Sequence, residues 1–189
     1  MRVIAGKARR TQLKTVEGLS TRPTTDRIKE TLFNMLQHDV YAANFLDLFA
    51  GSGAIGIEAL SRGAKSAVFV ENNRSAVDCI TSNLNTCHMT QQSKVMQMDC
   101  IEAIRNLDRR QYVFDIIFMD PPYGLEHEKR ILEELRRTDI LTENTLIIVE
   151  ANLETDFFYL KEYGYDLLKE KRYKTNKHVF VRKCGQDTL

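Results

Sequence analysis

Between residues 44 and 149, apolar runs alternate with amphipathic stretches without a break, and this restricts the chain to a parallel α/β architecture. Residues 45–49, 67–70, 94–98, 114–119 and 146–149 read as strands. Residues 54–61, 75–86, 101–107 and 128–137 read as the intervening helices, and a weaker helix is expected near 154–162. Strands this uniformly apolar are buried on both faces, as happens when crossover helices cover a parallel sheet. Two more strands, near 165–168 and 178–182, leave no room for a helix between them and predict an antiparallel hairpin. The expected fold is a mostly parallel seven-stranded sheet with a reversed C-terminal strand. Ahead of it, residues 2–13 read as a small hairpin or extended arm. Thr21-Arg-Pro-Thr-Thr25 supplies hydroxyl caps for a helix whose Ile28, Thr31, Leu32, Met35 and Leu36 follow helical spacing. Residues 1–40 are therefore expected to form a basic extension and residues 41–189 the main domain.

Charge is unevenly spread behind a net value of +1. Residues 1–30 carry eight Lys/Arg against three Asp/Glu, residues 31–160 eleven against nineteen, and residues 161–183 eight against three. Two basic ends around an acidic middle make a basic patch if the ends meet, and a basic patch suits a polyanion. Cys79, Cys87, Cys100 and Cys184 form neither a C-x-x-C pair nor a zinc-spaced cluster with His, so no metal is expected and the thiols read as reduced. No apolar run approaches the roughly 20 residues of a membrane span, and the apolar part of the N-terminus is too short for a signal peptide. A cytoplasmic monomer without a membrane partner is the expectation.

The first strand of the series runs into Asp47-Leu-Phe-Ala-Gly51-Ser-Gly53-Ala-Ile-Gly56 and then into a helix. That is G-x-G-x-x-G in the strand–turn–helix context the motif requires. Glycine tightens the turn and lets backbone approach a ligand closely. Glu71 lies twenty residues after Gly51, at the end of the next strand, where a carboxylate accepts from ribose hydroxyls. The spacing alone fits NAD or S-adenosylmethionine. Asp47 favours the latter, because an acid beside the loop attracts an amino group and a sulfonium and repels a pyrophosphate. Asp99-Cys100, after the third strand, offers a carboxylate to an adenine amine. Phe49 and Asn72 complete the candidate cofactor set, with Asp47, Gly51, Gly53, Gly56, Glu71, Asp99 and Cys100.

Asp120-Pro121-Pro122-Tyr123 closes the fourth strand of the series. Two successive prolines end a ladder and fix the backbone. The corner thus presents a carboxylate, carbonyl oxygens and an aromatic face, which suit a flat ligand bearing an exocyclic amine. Joined to Asp47 and the glycine loop, this corner resembles that of Rossmann-like, class I S-adenosylmethionine-dependent amino-methyltransferases with an (Asp/Asn)-Pro-Pro-(Tyr/Phe) motif. Arg2-Val-Ile-Ala-Gly6 and Arg22-Pro-Thr-Thr-Asp-Arg27-Ile-Lys-Glu-Thr-Leu-Phe-Asn34 are similar to the bacterial 16S ribosomal RNA guanine-N2 methyltransferase family. The resemblance runs from residue 2 to about 183. It implies methyl transfer to the N2 amine of one guanine of small-subunit rRNA, with Asp120, Pro121, Pro122 and Tyr123 at the catalytic corner. It also makes 16S rRNA, in the small ribosomal subunit or an assembly intermediate, the expected partner. Arg9, Arg10, Arg22, Arg27, Lys174 and Lys177 are the candidate phosphate contacts.

Other readings stay open at this point. A DNA or RNA methyltransferase acting on adenine N6 or cytosine N4 uses the same corner, as does a glutamine methyltransferase. A noncatalytic RNA-binding assembly factor would keep the pocket without turnover, and an NAD oxidoreductase would share the glycine loop. Phe157, Phe158 and Tyr159 are expected to cover the sheet as core.

Overall fold

The computed structural model describes residues 1–16, 26–122 and 127–185, which divide into two compact units, Met1–Cys100 and Ile101–Leu189. In the first unit, helix α1 (Asp26–Met35) precedes strand β1 (Asn44–Asp47), helix α2 (Ala54–Ser61), strand β2 (Ser66–Glu71), helix α3 (Arg74–Thr86) and strand β3 (Ser93–Gln97). β2 lies between β1 and β3 and runs parallel to both, with Asp47 opposite Phe69 and Glu71 opposite Gln97. The C-terminal ends of β1 and β2 therefore lie side by side, which places the Asp47 turn next to Glu71.

α2 has no solvent face: all eight of its residues are buried, including Glu58. The N-terminal arm covers it. An antiparallel bridge joins Arg2 to Gln12, and the Val3 N–H donates to the Thr11 carbonyl at 3.0 Å, as a hairpin requires. The arm is fixed to α2 through backbone groups. The Ile4 and Ala5 N–H groups donate to the two Glu58 oxygens at 2.8 and 3.0 Å, and the Lys7 N–H donates to the Ser61 carbonyl at 2.8 Å. Gly6 crosses so close that a Cβ there would sit 1.8 Å from the Ser61 carbonyl oxygen. The buried face of α1 carries Leu32, Phe33 and, one turn on, Leu36, together with Lys29. The Lys29 ammonium sits 3.2 Å from Glu58 and donates to the Arg2 carbonyl at 2.6 Å. The arm and first helix thus share a compact unit with the glycine loop. The cap candidates at residues 21–25 lie outside the described residues.

The second unit holds helix α4 (Cys100–Arg109, whose first residue closes the first unit), strand β4 (Phe114–Met119), helix α5 (His127–Arg136) and strands β5 (Leu141–Asn152), β6 (Tyr165–Arg172) and β7 (Asn176–Lys183). β4 and β5 are parallel, β7 pairs antiparallel with β5, and β6 pairs antiparallel with β7. β7 is thus inserted between β5 and β6, and it alone is reversed. Among the described residues, seven strands, mostly parallel with one reversed near the C-terminus, are the inventory of a Rossmann-like α/β fold, as the apolar alternation implied.

Three expectations need correction. The helix expected at 154–162 is a single 3-10 turn, Phe158–Leu160, in a loop where the Asp156 carboxylate accepts from the Phe158 N–H at 2.8 Å. An Asp that caps its own backbone two residues on favours a turn over a helix. Nor is residue 158 core. Phe158 is 93% exposed, while Phe157 and Tyr159 are half-buried and tilted against each other with ring centres 5.9 Å apart. β6 also runs four residues past its expected end, because Lys169, Glu170, Lys171 and Arg172 pair as a charged edge strand with no apolar signal.

Candidate active site

The glycine loop begins where β1 ends. Gly51 and Gly53 take positive φ values of 53° and 79°, the left-handed region where a side chain is strained. A Cβ at Gly51 would meet nothing within 4 Å, so the loop leaves open space there. Gly56 differs. A Cβ on it would lie 2.3 Å from the Phe69 ring, so its task is to let α2 pack on β2, and it reaches the site only through its N–H, which donates to Asp47 at 3.2 Å. The Glu71 carboxylate spans the loop and the next helix, accepting from the Gly51 N–H at 2.9 Å and from the Asn73 N–H at 2.9 Å. Two oxygens with about four acceptor sites still leave room for hydroxyl donors. Asn73 caps α3 by accepting from the Ala76 N–H at 3.2 Å.

Asp47 is 1% exposed. Burial pushes its carboxyl up to about 7, opposed by the Gly56 N–H, reinforced by the charge of Glu71 and opposed more weakly by the Phe49 N–H, which lies beyond hydrogen-bond geometry of Oδ1. Its Oδ1 has no hydrogen-bond partner among the described residues. Two carboxylates around one loop, one of them with an unanswered oxygen, fit a ligand that brings positive charge and N–H or O–H donors. They do not fit a pyrophosphate, which would add like charge to both. The donor set thus favours S-adenosylmethionine over NAD. Phe49, Gly51 and Cys100 are half-buried, and Asn72 and Asp99 are exposed. Asp99 follows the end of β3 by two residues, and Cys100 opens α4. Among the described residues no group of three or more His, Cys, Asp or Glu is arranged to hold a metal ion.

In the second unit, Asp120 follows the buried Met119 at the end of β4 and is half-buried. Pro121 behind it is buried, and Pro122 is exposed. Tyr123 lies outside the described residues. Met119 pairs with Val149 on β5, so Glu150 is the β5 residue that follows, at the same strand end as Asp120. Glu150 and His178, opposite each other on β5 and β7, are 5% and 0% exposed and 3.1 Å apart. The His178 ring also meets the Tyr173 hydroxyl at 3.1 Å and stands edge-on to Phe118. Asn176 donates to Glu150 at 2.5 Å. Burial and the charge of Glu150 push the Tyr173 phenol up to about 12, so it stays a neutral donor. The buried Glu150–His178 pair was not foreseen from the sequence, and its one signal there is Glu150, which follows the apolar run 146–149 within β5.

The basic candidates separate. Arg9, Arg10 and Arg27 are exposed on the first unit, the first two in the arm's turn, and Lys174 is exposed between β6 and β7. Arg22 lies outside the described residues. Lys177 must be withdrawn as a phosphate contact: it is 5% exposed, its ammonium lies 3.0 Å from Glu170, and it sits 5.5 Å above the Phe157 ring centre.

Fold and cofactor loop define a Rossmann-like methyltransferase that uses S-adenosylmethionine. Comparison with known proteins agrees. The family described as Conserved hypothetical protein 95 matches residues 1–182. Ribosomal RNA small subunit methyltransferase D of Haemophilus influenzae is 35% identical over 172 residues, covering 90% of this chain and 88% of that protein. The protein of the same name in Escherichia coli is 35% identical over 154 residues, covering 82% of this chain and 76% of that one. The solved structure of Escherichia coli yhhF superposes with a TM-score of 0.86 at 31% identity, over 98% of this chain and 99% of that chain. The chain belongs to the ribosomal RNA small subunit methyltransferase D family.

Proposed function

We propose that this protein transfers the methyl group of S-adenosylmethionine to the N2 amine of one guanine in small-subunit ribosomal RNA. The observation that carries the reading is the Asp120-Pro121-Pro122 corner closing β4 in a member of this family. When bound, the cofactor supplies an electrophilic methyl on a cationic sulfur and leaves as a neutral thioether. Asp47 and Glu71 answer the positive charge and the hydroxyls of that ligand, and the open Gly51 turn lets it approach the backbone.

A guanine N2 lone pair is delocalised into the ring and nucleophilic only when the amine is turned out of conjugation. Asp120 and the Pro121 carbonyl accept from the two N2–H bonds, which turns the lone pair out of conjugation and readies it for attack. Asp120 would stabilise the positive charge that develops on the methylated nitrogen until its proton leaves to water. Positioning and electrostatics carry the rate. The target base must leave its stack, at a cost of about a few kcal/mol, and Tyr123 supplies the ring that receives it. Arg9, Arg10, Arg27 and Lys174 hold phosphates. With that substrate the protein acts in the cytoplasm, as a monomer on the small subunit or its assembly intermediate.

Labelled S-adenosylmethionine incubated with small subunits from an unmethylated strain, followed by nucleoside analysis, should yield N2-methylguanosine at one position. Label in adenosine or cytidine, or none in RNA while the cofactor binds, overturns the reading.

A further inference from the structure

One buried amide in the first unit joins the N-terminal arm to the cofactor loop. Asn83 lies on α3 and is 1% exposed. Its Oδ1 accepts from the Lys14 N–H at 2.8 Å, and its Nδ2 donates to the Lys14 carbonyl at 3.0 Å. The same Nδ2 donates to the Ser52 carbonyl at 2.9 Å. Ser52 stands between Gly51 and Gly53, the two left-handed residues of the loop. The Cys79 thiol adds a bond to the Lys14 carbonyl at 3.3 Å.

No other side chain substitutes for Asn here. The site needs an acceptor for one backbone N–H and donors for two backbone carbonyls at one reach from the helix. Asp has no donor and turns its oxygens on two carbonyls, Leu answers none of the three backbone groups and leaves the Lys14 carbonyl only the Cys79 thiol, and Gln is a methylene too long. The contact is also selective in what it holds. It does not fasten the arm to α2, which Glu58 and Ser61 already do from the Ile4–Ala8 side. It fastens the arm's far end, the last described residues before the segment bearing Arg22, to the peptide on which the cofactor loop turns.

We propose that Asn83 is a positioning residue that couples the arm to the cofactor loop, so that ligand in the loop orders the arm and RNA on the arm tightens the loop. Linkage makes the effect reciprocal: whatever factor one ligand gains from the other is returned in full. The RNA half of this statement rests on the proposed function; the arm half does not.

The test therefore starts without RNA. Hydrogen exchange is measured on the full-length protein with and without saturating S-adenosylhomocysteine. The Lys14 amide and its arm neighbours should exchange about tenfold more slowly with the ligand present, within the range of ordinary site-to-site coupling. Asn83→Asp should still bind the ligand and lose that ligand-dependent slowing. Should Asn83→Asp fail to fold, Lys14→Pro removes the arm's donor while leaving Asn83 intact, and the arm amides flanking residue 14 should show the same loss. A purely structural amide would speed exchange equally in both ligand states. That outcome, or a wild-type arm indifferent to ligand, overturns the proposal. With RNA substrate, either variant should raise the KM for RNA about tenfold at saturating cofactor and leave kcat within about twofold. A fall in kcat at constant KM counts against the coupling, and a failure of all methylation with the exchange effect intact rejects the substrate assignment alone.

Discussion

Glu58 and Asp47 are both buried carboxylates of the first unit, at 0% and 1% exposure, and the protein treats them in opposite ways. Glu58 is answered on every side. Lys29 and Arg62 face it at 3.2 and 2.8 Å, and two backbone N–H groups of the arm complete the set. Asp47 receives the Gly56 N–H on one oxygen, keeps the other without a partner among the described residues, and lies within the field of Glu71. A buried charge that the protein satisfies itself is part of the fold. One that it leaves unsatisfied is a candidate ligand site, kept in that state at a cost to the unbound protein.

Breaking the satisfied carboxylate should have the largest effect. Glu58→Ala strands the Lys29 ammonium at 0% exposure beside Arg62 and frees the Ile4 and Ala5 amides. Removing one partner of a buried pair costs about 3–5 kcal/mol, to be read as a fall in the urea midpoint at unchanged slope. The burial of Lys29 already holds its pKa below the ordinary lysine value, so the stranded amine should lose its proton instead of staying charged.

The unsatisfied carboxylate should show itself through pH. The folded protein raises Asp47 from 3.8 to about 7 and so holds that proton more tightly than the unfolded chain. The contribution to stability is complete below about pH 4 and is lost as pH rises through 7. A shift of that size corresponds to about 4 kcal/mol for a fully buried group. Chemical denaturation of the unbound protein between pH 5 and 8 should show the decline, and Asp47→Asn should remove that part of it. In this respect Asp47→Asn stabilises the unbound protein at pH 8, the opposite sign from Glu58→Ala.

The same variant should bind cofactor worse. An amide keeps the shape of Asp47 but answers no positive charge, and a loss of about 10- to 100-fold in affinity, or 1.4–2.8 kcal/mol, is expected by calorimetry. In the wild type, a cationic ligand favours the carboxylate form. Binding below pH 7 should therefore release a proton, and affinity should rise with pH and level off above 7. Titrations in two buffers of different ionisation enthalpy measure the release directly.

These contrasts also show what the sequence could disclose. The glycine loop, Asp47, Glu71 and the Asp120 corner are short local patterns at strand ends, so each stands out as a candidate from the order of residues alone. The helix Ala54–Ser61 was legible to the residue, because its apolar run is bounded by a glycine and by Arg62-Gly63. Lys29 was not. It looks like one more cation of a basic end, and its burial depends on Glu58, a partner twenty-nine residues away on another helix. Lys177 misled for the same reason. Phe158 erred the other way: an aromatic triplet suggests core, but β5 carries the chain beyond the sheet before the triplet begins. Pairing across long sequence separations decides such residues, and periodicity holds no record of it.

Lys174 and Lys177 extend the comparison to positive charge, with the smallest expected effect. They sit three residues apart on the turn and first strand positions of one hairpin, so electrostatic potential at long range treats them alike. They differ in what already answers them. Lys177 is held by Glu170 and the face of Phe157, and its charge has been neutralised inside the protein. Lys174 is exposed and keeps its counterions. If RNA lies on this hairpin, Lys174→Ala should weaken RNA binding only a few-fold, but it should reduce the slope of log affinity against log salt by about 1, the signature of one phosphate contact. Lys177→Ala should leave that slope unchanged and lower stability instead, since it leaves Glu170 beside Arg172 alone and uncovers Phe157. Slopes reduced equally by both variants would mean that burial and pairing do not separate structural cations from binding ones in this protein. Equal and unaltered slopes would place the RNA on Arg9, Arg10 and Arg27 of the first unit.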